Sequence, residues 1–440
     1  MGVFLRFLSP ATKGTKLKSL LGLSVGYTLV SVISKISPFL LLPIVTAYLT
    51  PDEFGRVAMF QATLQFLIPF VGAGVAGVIS IEFLQVSKKE LSNFILTGFL
   101  VIGGLIALLS VGILLAKDTF EVLLGLDAKY LYLLPVTSAS IAMIAVYSAM
   151  LQMQKRIISF SFVNLGIAVL EFSVTIILVV LVQTGVDGRI DAIVYSSLVI
   201  LFFVLVQLYR ESWYSGELTV TTFKNLLSLG SPLVMYQVGF FVVLLTDRLL
   251  LAKLMSFSDV GVYMVGLQIG MVVGLIEASA LKAWIPWLFS QLIEEEVDKN
   301  TIVHFKMVYL ILLVLVTLVV IILGNFALKV LFSEEYIAAS QVIPWVAMAF
   351  MFMGMYKVFA QYMFFKRLTL NLMWIGVLVA VVNIPLTYYL ILLNGMVGAA
   401  QSTFVSYFVA FVLSFLLSRR LYSLPYLAVF QNACRTIFRT

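Results

Sequence analysis

Seven ionisable side chains stand inside long apolar stretches of this sequence: Lys35, Glu171, Asp247, Arg248, Glu277, Lys282 and Lys357. In hydrocarbon each costs roughly 2.5–3.5 kcal/mol, so seven facing lipid would cost on the order of 20 kcal/mol. They must face an interior or pair. An interior cation offers charge-assisted hydrogen bonds to a phosphate or an acidic sugar, and an interior acid can exchange a proton or hold a small cation. Amides accompany the charges. Gly354, Lys357 and Gln361 fall at i, i+3 and i+7, one face of a helix. Ala145, Ser148 and Gln152 form a similar stripe, and Gln61 with Gln65 gives a third polar face.

Each charge carries its own local argument. Lys35 lies three residues before Pro38, where an interrupted hydrogen-bond ladder opens carbonyls to a cavity. It is expected to line a substrate path, with Glu171 the first carboxylate to test as its partner. Asp247 and Arg248 are adjacent and point about 100° apart on a helix, so one is expected to face a cavity and the other a neighbouring helix. Helix geometry alone leaves open which of the two faces the cavity; Asp247, Glu171 and Glu277 are candidates for ion coupling. Lys282 precedes Trp284, Pro286 and Trp287, an interfacial signature in which the lysine snorkels to the headgroups.

The elements that must position these groups are membrane helices. Apolar residues make up 62% of the 440 and charged residues 11%, against roughly 45–50% and 25% in soluble domains. Stretches such as Ile311–Leu323 are apolar on every side, unlike the alternating strands of a membrane barrel. A hydrocarbon core of about 30 Å needs roughly 20 helical residues. That length places twelve spans near 20–48, 57–81, 91–116, 131–153, 158–183, 190–209, 226–252, 260–290, 304–324, 338–364, 368–392 and 396–418. With an N-terminus in the cytoplasm, 18 loop Lys and Arg fall on the cytoplasmic side against 6 opposite, so both termini are expected there. The first span is too long for a cleavable signal peptide and is expected to stay as an anchor.

Several chemistries drop out. One cysteine, Cys434, and one histidine, His304, make neither a disulfide framework nor a Cys/His zinc site. Gly72–Gly77 spells G-x-G-x-x-G, but within the second span and with no βαβ unit, so it is read as helix packing. There is no G-x-x-x-x-G-K-[ST] phosphate loop. No metal ligands, organic cofactor or nucleic-acid partner are expected.

The chain also repeats. Leu49–Gly55 (LTPDEFG) and Met255–Gly261 (MSFSDVG) share an acid-x-Gly element at an offset of 206. Pro135, Ala145, Ser148 and Gln152 align with Pro344, Gly354, Lys357 and Gln361 at an offset of 209. Six crossings return the chain to its starting side, so the two copies run parallel. The expected organisation is a bundle over 1–209, a cytoplasmic linker over 210–225, and a second bundle with its tail over 226–440.

Leu49–Gly55, Gly230-Ser231-Pro232, Thr246-Asp247-Arg248 and Asp259-Val260-Gly261-Val262-Tyr263 resemble the polysaccharide-export branch of the multidrug/oligosaccharidyl-lipid/polysaccharide (MOP) superfamily, the O-antigen (Wzx-type) flippases. The resemblance implies an all-α, MATE-like integral membrane fold in a bacterial inner membrane and no enzymatic activity. It implies a flippase carrying polyprenyl-diphosphate-linked oligosaccharide by alternating access, driven by a proton or sodium gradient. Lys35, Arg248, Lys357, Gln361, Gln61, Gln65 and Gln152 are its expected substrate contacts. Membrane lipids and a polysaccharide polymerase with its chain-length machinery are its expected partners. The rivals are a cation-coupled multidrug exporter, a peptidoglycan-precursor flippase and a membrane-embedded polymerase or glycosyltransferase. The last needs a larger extramembrane segment than the longest here, of about 15 residues.

Overall fold

The computed structural model describes residues 30, 33–34, 36–83, 86–293, 299–366 and 368–422. The chain runs through α1 (Ile36–Tyr48), α2 (Pro51–Gly72), α3 (Val75–Glu82), α4 (Lys88–Leu115), α5 (Lys117–Leu124), α6 (Ala128–Met153), α7 (Ile157–Leu181) and α8 (Gly185–Arg210). It continues through α9 (Val220–Leu254), α10 (Phe257–Ile293), α11 (Lys299–Leu331), α12 (Ile343–Phe365), α13 (Thr369–Asn394) and α14 (Met396–Leu421). Among the described residues ten of these are long and apolar enough to cross a membrane; α1, a shorter apolar helix, and the 35-residue α9 lie where the other two spans are expected. The protein is an all-helical, multi-pass membrane protein.

Two expected spans differ in detail. The second is broken: α2 ends at Gly72, Ala73 and Gly74 both take left-handed backbone, and α3 starts at Val75. A Cβ on Gly74 would lie 2.6 Å from the Gly230 carbonyl of α9, and one on Gly230 would collide with the Ala73 carbonyl. The glycine run thus serves a helix break as well as the close packing expected of it. The tenth span starts later than 338, because Glu334–Gln341 winds as a 3₁₀ segment before α12.

The repeated motif is a capping device. Thr50 is the N-cap of α2: its hydroxyl accepts from the Glu53 amide at 3.4 Å, while the Glu53 carboxylate accepts from the Thr50 amide at 2.9 Å. Ser256 repeats the role for α10, accepting from the Asp259 amide at 3.1 Å and donating to its carboxylate at 2.5 Å. Two residues past each acid, Gly55 and Gly261 let the helix starts cross: a Cβ on Gly55 would collide with the Phe257 carbonyl, and one on Gly261 with the Pro51 carbonyl.

Around that crossing the two halves share one hydrophobic core, in which Val57 and Phe60 pack with Val260, Tyr263 and Val342. The other clusters are segregated. One gathers residues of α2–α8 with Trp213 and Leu226, and three lie wholly in the second half. The halves are fused at one end and keep separate cores elsewhere. Helix α9 crosses between them, with Leu226 in the first half's core and Val243 in the second's.

Candidate functional site

The fused end is a closed seam between the halves, the candidate gate. Tyr336, fully buried, donates to the Leu49 carbonyl at 2.9 Å and meets Phe54 edge-on at 6.3 Å. The Arg56 guanidinium lies 5.2 Å from the centre of the Phe257 ring and donates to the Gly125 carbonyl at 3.3 Å. Each of these contacts except the last joins one half to the other, so parting the halves here breaks all of them together.

The charges fall into pairs and knots. In the second half, α10 and α12 approach where Gly354 faces Glu277; a Cβ on Gly354 would lie 3.3 Å from the Glu277 Cβ. Lys357 pairs with Glu277 across this contact, and the two differ in access: 31% of the lysine side chain is exposed and none of the glutamate's. Gln361, on the same face, is buried and donates to the Lys357 carbonyl at 3.1 Å. Its amide is spent on its own helix.

In the first half, Glu171 pairs with Arg189 at 2.7 Å, and here the acid is the accessible member, 25% exposed against 5%. Arg189 also donates to the Thr175 hydroxyl at 3.1 Å. Lys35, the partner expected for Glu171, lies outside the described residues. Arg189 was overlooked because it sits at the mouth of a span, beside Asp187 and ahead of the apolar run, where charges are usually solvated.

Asp247 is fully buried and accepts from Tyr263 at 2.8 Å, Thr403 at 2.5 Å and Thr387 at 3.4 Å. It ties α9 to α10, α13 and α14. Arg248 is buried too, 3% exposed, donating to the Met264 sulfur at 3.0 Å and to the Leu244 carbonyl of its own helix. Neither neighbour opens on a cavity in this state, contrary to the expectation that one of them would.

The remaining expected contacts scatter. Gln65 and Gln152 are exposed and Gln61 half-buried, while Ser148 accepts from Asn164 at 3.2 Å. Lys282 is exposed on the turn before the stacked rings of Trp284 and Trp287, 5.0 Å apart, as snorkelling requires. One buried cation was missed outright. Lys306, at the head of the span expected from 304 and not counted among the interior charges, is fully buried; its ammonium donates to the Tyr362 hydroxyl at 2.9 Å and faces the Phe359 ring at 4.6 Å. The apolar Ile302 and Val303 before it, and Tyr309 after it, were the available signal.

A cavity of about 820 Å³ opens near the gate between α5, α9 and α13, lined by Asp118, Val122, Leu250, Lys253 and Ile384 among others. It holds none of the expected site residues. Its walls are largely apolar, with Asp118 and Lys253 the charged residues of the lining. Among the described residues no cluster of His, Cys, Asp and Glu could hold a metal ion.

Two helical halves fused at one end, with charges between their helices, have counterparts among solved structures. The fold matches a MATE transporter of Vibrio cholerae with a TM-score of 0.64 at 14% identity, over 92% of this chain and 98% of that one. It matches an inward-facing multidrug resistance MATE family transporter of the MOP superfamily at 0.62 and 14%, over 88% and 95%. The sequence narrows the class: the profile of the polysaccharide biosynthesis protein family matches residues 24–292, and the chain belongs to that family. It is 27% identical over 274 residues to Lsg locus putative protein 1 of Haemophilus influenzae, covering 61% of this chain and 66% of that protein, just under two thirds of its length. An uncharacterized membrane protein of the same organism is 23% identical over 318 residues, 70% of this chain and 75% of the other. The chain thus combines membership of the polysaccharide biosynthesis protein family with the fold seen in the solved MATE structures.

Proposed function

We propose that the protein flips polyprenyl-diphosphate-linked oligosaccharide repeat units, of an O-antigen or a related surface polysaccharide, across a bacterial cytoplasmic membrane. The observation that carries this reading is Lys357, a cation whose side chain is partly exposed between helices of a membrane protein of the polysaccharide biosynthesis family. Such a cation meets the anionic diphosphate while the polyprenyl tail stays in lipid and amides such as Gln61, Gln65 and Gln152 serve the sugar hydroxyls. Both termini are cytoplasmic in this reading, which puts the sealed gate outside and makes its opening the exit step of alternating access. Arg248 and Lys35 contribute as further cations in other states of the cycle. Glu171, the accessible acid of the first half, is the strongest candidate for coupling to a proton or sodium gradient, with Glu277 and Asp247 behind it. The polymerase and chain-length machinery take the exported unit.

The test is deletion. Loss of the protein leaves the lipid-linked unit intact and accumulating on the cytoplasmic face while the surface polysaccharide disappears. Failure to form the unit at all would replace this reading with an enzymatic one. Cation-coupled drug export is the second reading, drawing on the accessible Glu171 carboxylate; it predicts drug sensitivity with normal surface glycan.

A further inference from the structure

The ion pair of the second half is asymmetric in a way the flippase reading alone does not require. The glutamate side chain is wholly buried, while 31% of the lysine side chain is exposed. Glu277 is held against Lys357 by the backbone approach at Gly354, so it engages the cation without losing translational freedom each time. Any anion that wants the lysine must displace a preorganised carboxylate. For a group bearing a single negative charge the exchange gains little: it replaces one charge by another, orders itself, and strips the buried carboxylate of its ammonium. A group bearing two adjacent negative charges and more acceptor oxygens gains additional charge-assisted hydrogen bonds from the same exchange.

We propose that Glu277 is a specificity-determining place-holder: it keeps Lys357 closed to the singly charged phosphodiesters of bulk membrane lipids and yields it to a lipid diphosphate. The proposal rests on the flippase reading. A transporter whose substrate is a rare lipid in an excess of phospholipid must reject the common headgroup, and a competing internal charge is one way to build the penalty into the site. Gln361 supports the arrangement by bonding the Lys357 carbonyl and leaving the ammonium to Glu277. Tyr309, whose hydroxyl is buried and close enough to Glu277 to feel its charge, is a titratable group facing the carboxylate from α11.

The experiment uses the full chain in vesicles of phosphatidylcholine with graded phosphatidylglycerol. The probe is a fluorescent short-chain polyprenyl diphosphate monosaccharide, whose diester has no group titrating near neutral pH. Wild-type protein binds the probe with an affinity that anionic phospholipid changes only through surface potential, an effect common to all variants. Glu277→Gln binds the probe at least as tightly in pure phosphatidylcholine, yet loses about tenfold or more relative to wild type as phosphatidylglycerol rises. Glu277→Asp, with its shorter reach, gives an intermediate loss and decides the matter in the same way should Glu277→Gln not accumulate. Lys357→Gln binds roughly 10- to 150-fold more weakly at every composition, the equivalent of one charge-assisted hydrogen bond. Variants that discriminate between the two lipids as wild type does would overturn the place-holder. Wild-type protein that does not bind the probe in pure phosphatidylcholine would instead overturn the flippase reading on which it rests.

Discussion

The two halves of this protein each hold an ion pair, and the pairs have opposite polarity. In the first half the reachable partner is an acid, Glu171, over a buried Arg189; in the second it is a base, Lys357, over a buried Glu277. Nor do they occupy corresponding places, since one joins α7 to α8 and the other α10 to α12. The gate is the reverse case. There Thr50, Glu53 and Gly55 are matched position for position by Ser256, Asp259 and Gly261. What the repeat conserved is the mechanical part, the capped helix starts that cross; what diverged is the chemistry. One half is built to offer a positive charge and the other a negative one, a division suited to moving an anionic substrate against a cation.

The largest expected effect comes from Asp247, which has no counterpart in the first half. Asp247→Ala leaves the hydroxyls of Tyr263, Thr403 and Thr387 without their shared buried acceptor. Hydrogen bonds to charged groups are worth about 1.5–3 kcal/mol each, so the loss is a large fraction of a typical stability of about 5–15 kcal/mol. Folded yield in detergent should collapse. A variant that folds and melts like wild type would mean that the four-helix knot is not structural.

The polarity contrast itself is tested by rescue. Glu171→Gln strands Arg189, which is buried and keeps only Thr175; up to about 3 kcal/mol of stability goes with it, and Arg189→Met in the same chain should restore folded yield. Any transport still missing from that double variant is then the coupling role of Glu171. Lys357→Gln should behave oppositely, lowering export about tenfold or more at normal protein levels, with no rescue by Glu277→Gln and partial retention in Lys357→Arg. Rescue in both halves would reduce Lys357 and Glu277 to a structural pair.

Much of this architecture was legible, and the boundary of legibility is physical. Span count and the capped turns depend on neighbours in sequence, so apolar length and the acid-x-Gly spacing revealed them. Pairing does not. Glu171 reaches Arg189 through the return of the chain at Gln183–Gly185, and a π-helical stretch at Ile176–Leu181 resets which face it presents. Lys306 was not counted among the interior charges because its cage, Phe359 and Tyr362, lies more than fifty residues away. Arg248 was offered to a cavity because nothing local tells a lysine-like snorkel from an arginine packed on a methionine. The break at Ala73-Gly74 was hidden by composition: small residues are equally apt for close packing and for left-handed turns.

The gate should respond more gently than the charges. Tyr336→Phe removes one hydrogen bond from the Leu49 carbonyl and leaves the ring packed on Phe54, a net of about 0.5–1.5 kcal/mol. In a chain with Cys434→Ser and a cysteine at the fully buried Val260, an impermeant maleimide added from outside should label roughly 2- to 10-fold faster when Tyr336 is replaced. Gly55→Val, which forces a side chain into the Phe257 backbone, should label faster still. Labelling only from the cytoplasmic side would invert the topology. Equal rates in all variants would remove Tyr336 from the gate.

The smallest effect is expected where the halves meet through solvent. The segment after α8 lies on the first half: Trp213 is buried, the Glu217 amide donates to Asn93 at 2.6 Å, and the Glu217 carboxylate pairs with Lys89 at 2.8 Å. The hydrogen bond from Lys89, and then its charge, hold the Glu217 carboxyl below its ordinary value of 4.5. The same bond raises Lys89 above 10.5. A lowered acid contributes fully above its ordinary value and loses that contribution as pH falls through the lowered one, while a raised base contributes below its ordinary value and loses it only above. Neutral pH lies inside both windows. Protease sensitivity of the Arg210–Lys224 stretch should therefore be flat through neutral pH and rise only on acidification below 4.5. Because both side chains are 68% exposed, solvent screens the pair, and Lys89→Ala should shift cleavage far less than Trp213→Ala, which empties a buried indole site. A steep change near neutral pH would mean that groups other than this pair hold the linker to the bundle, and that its docking, unlike the gate's, is part of the transport cycle.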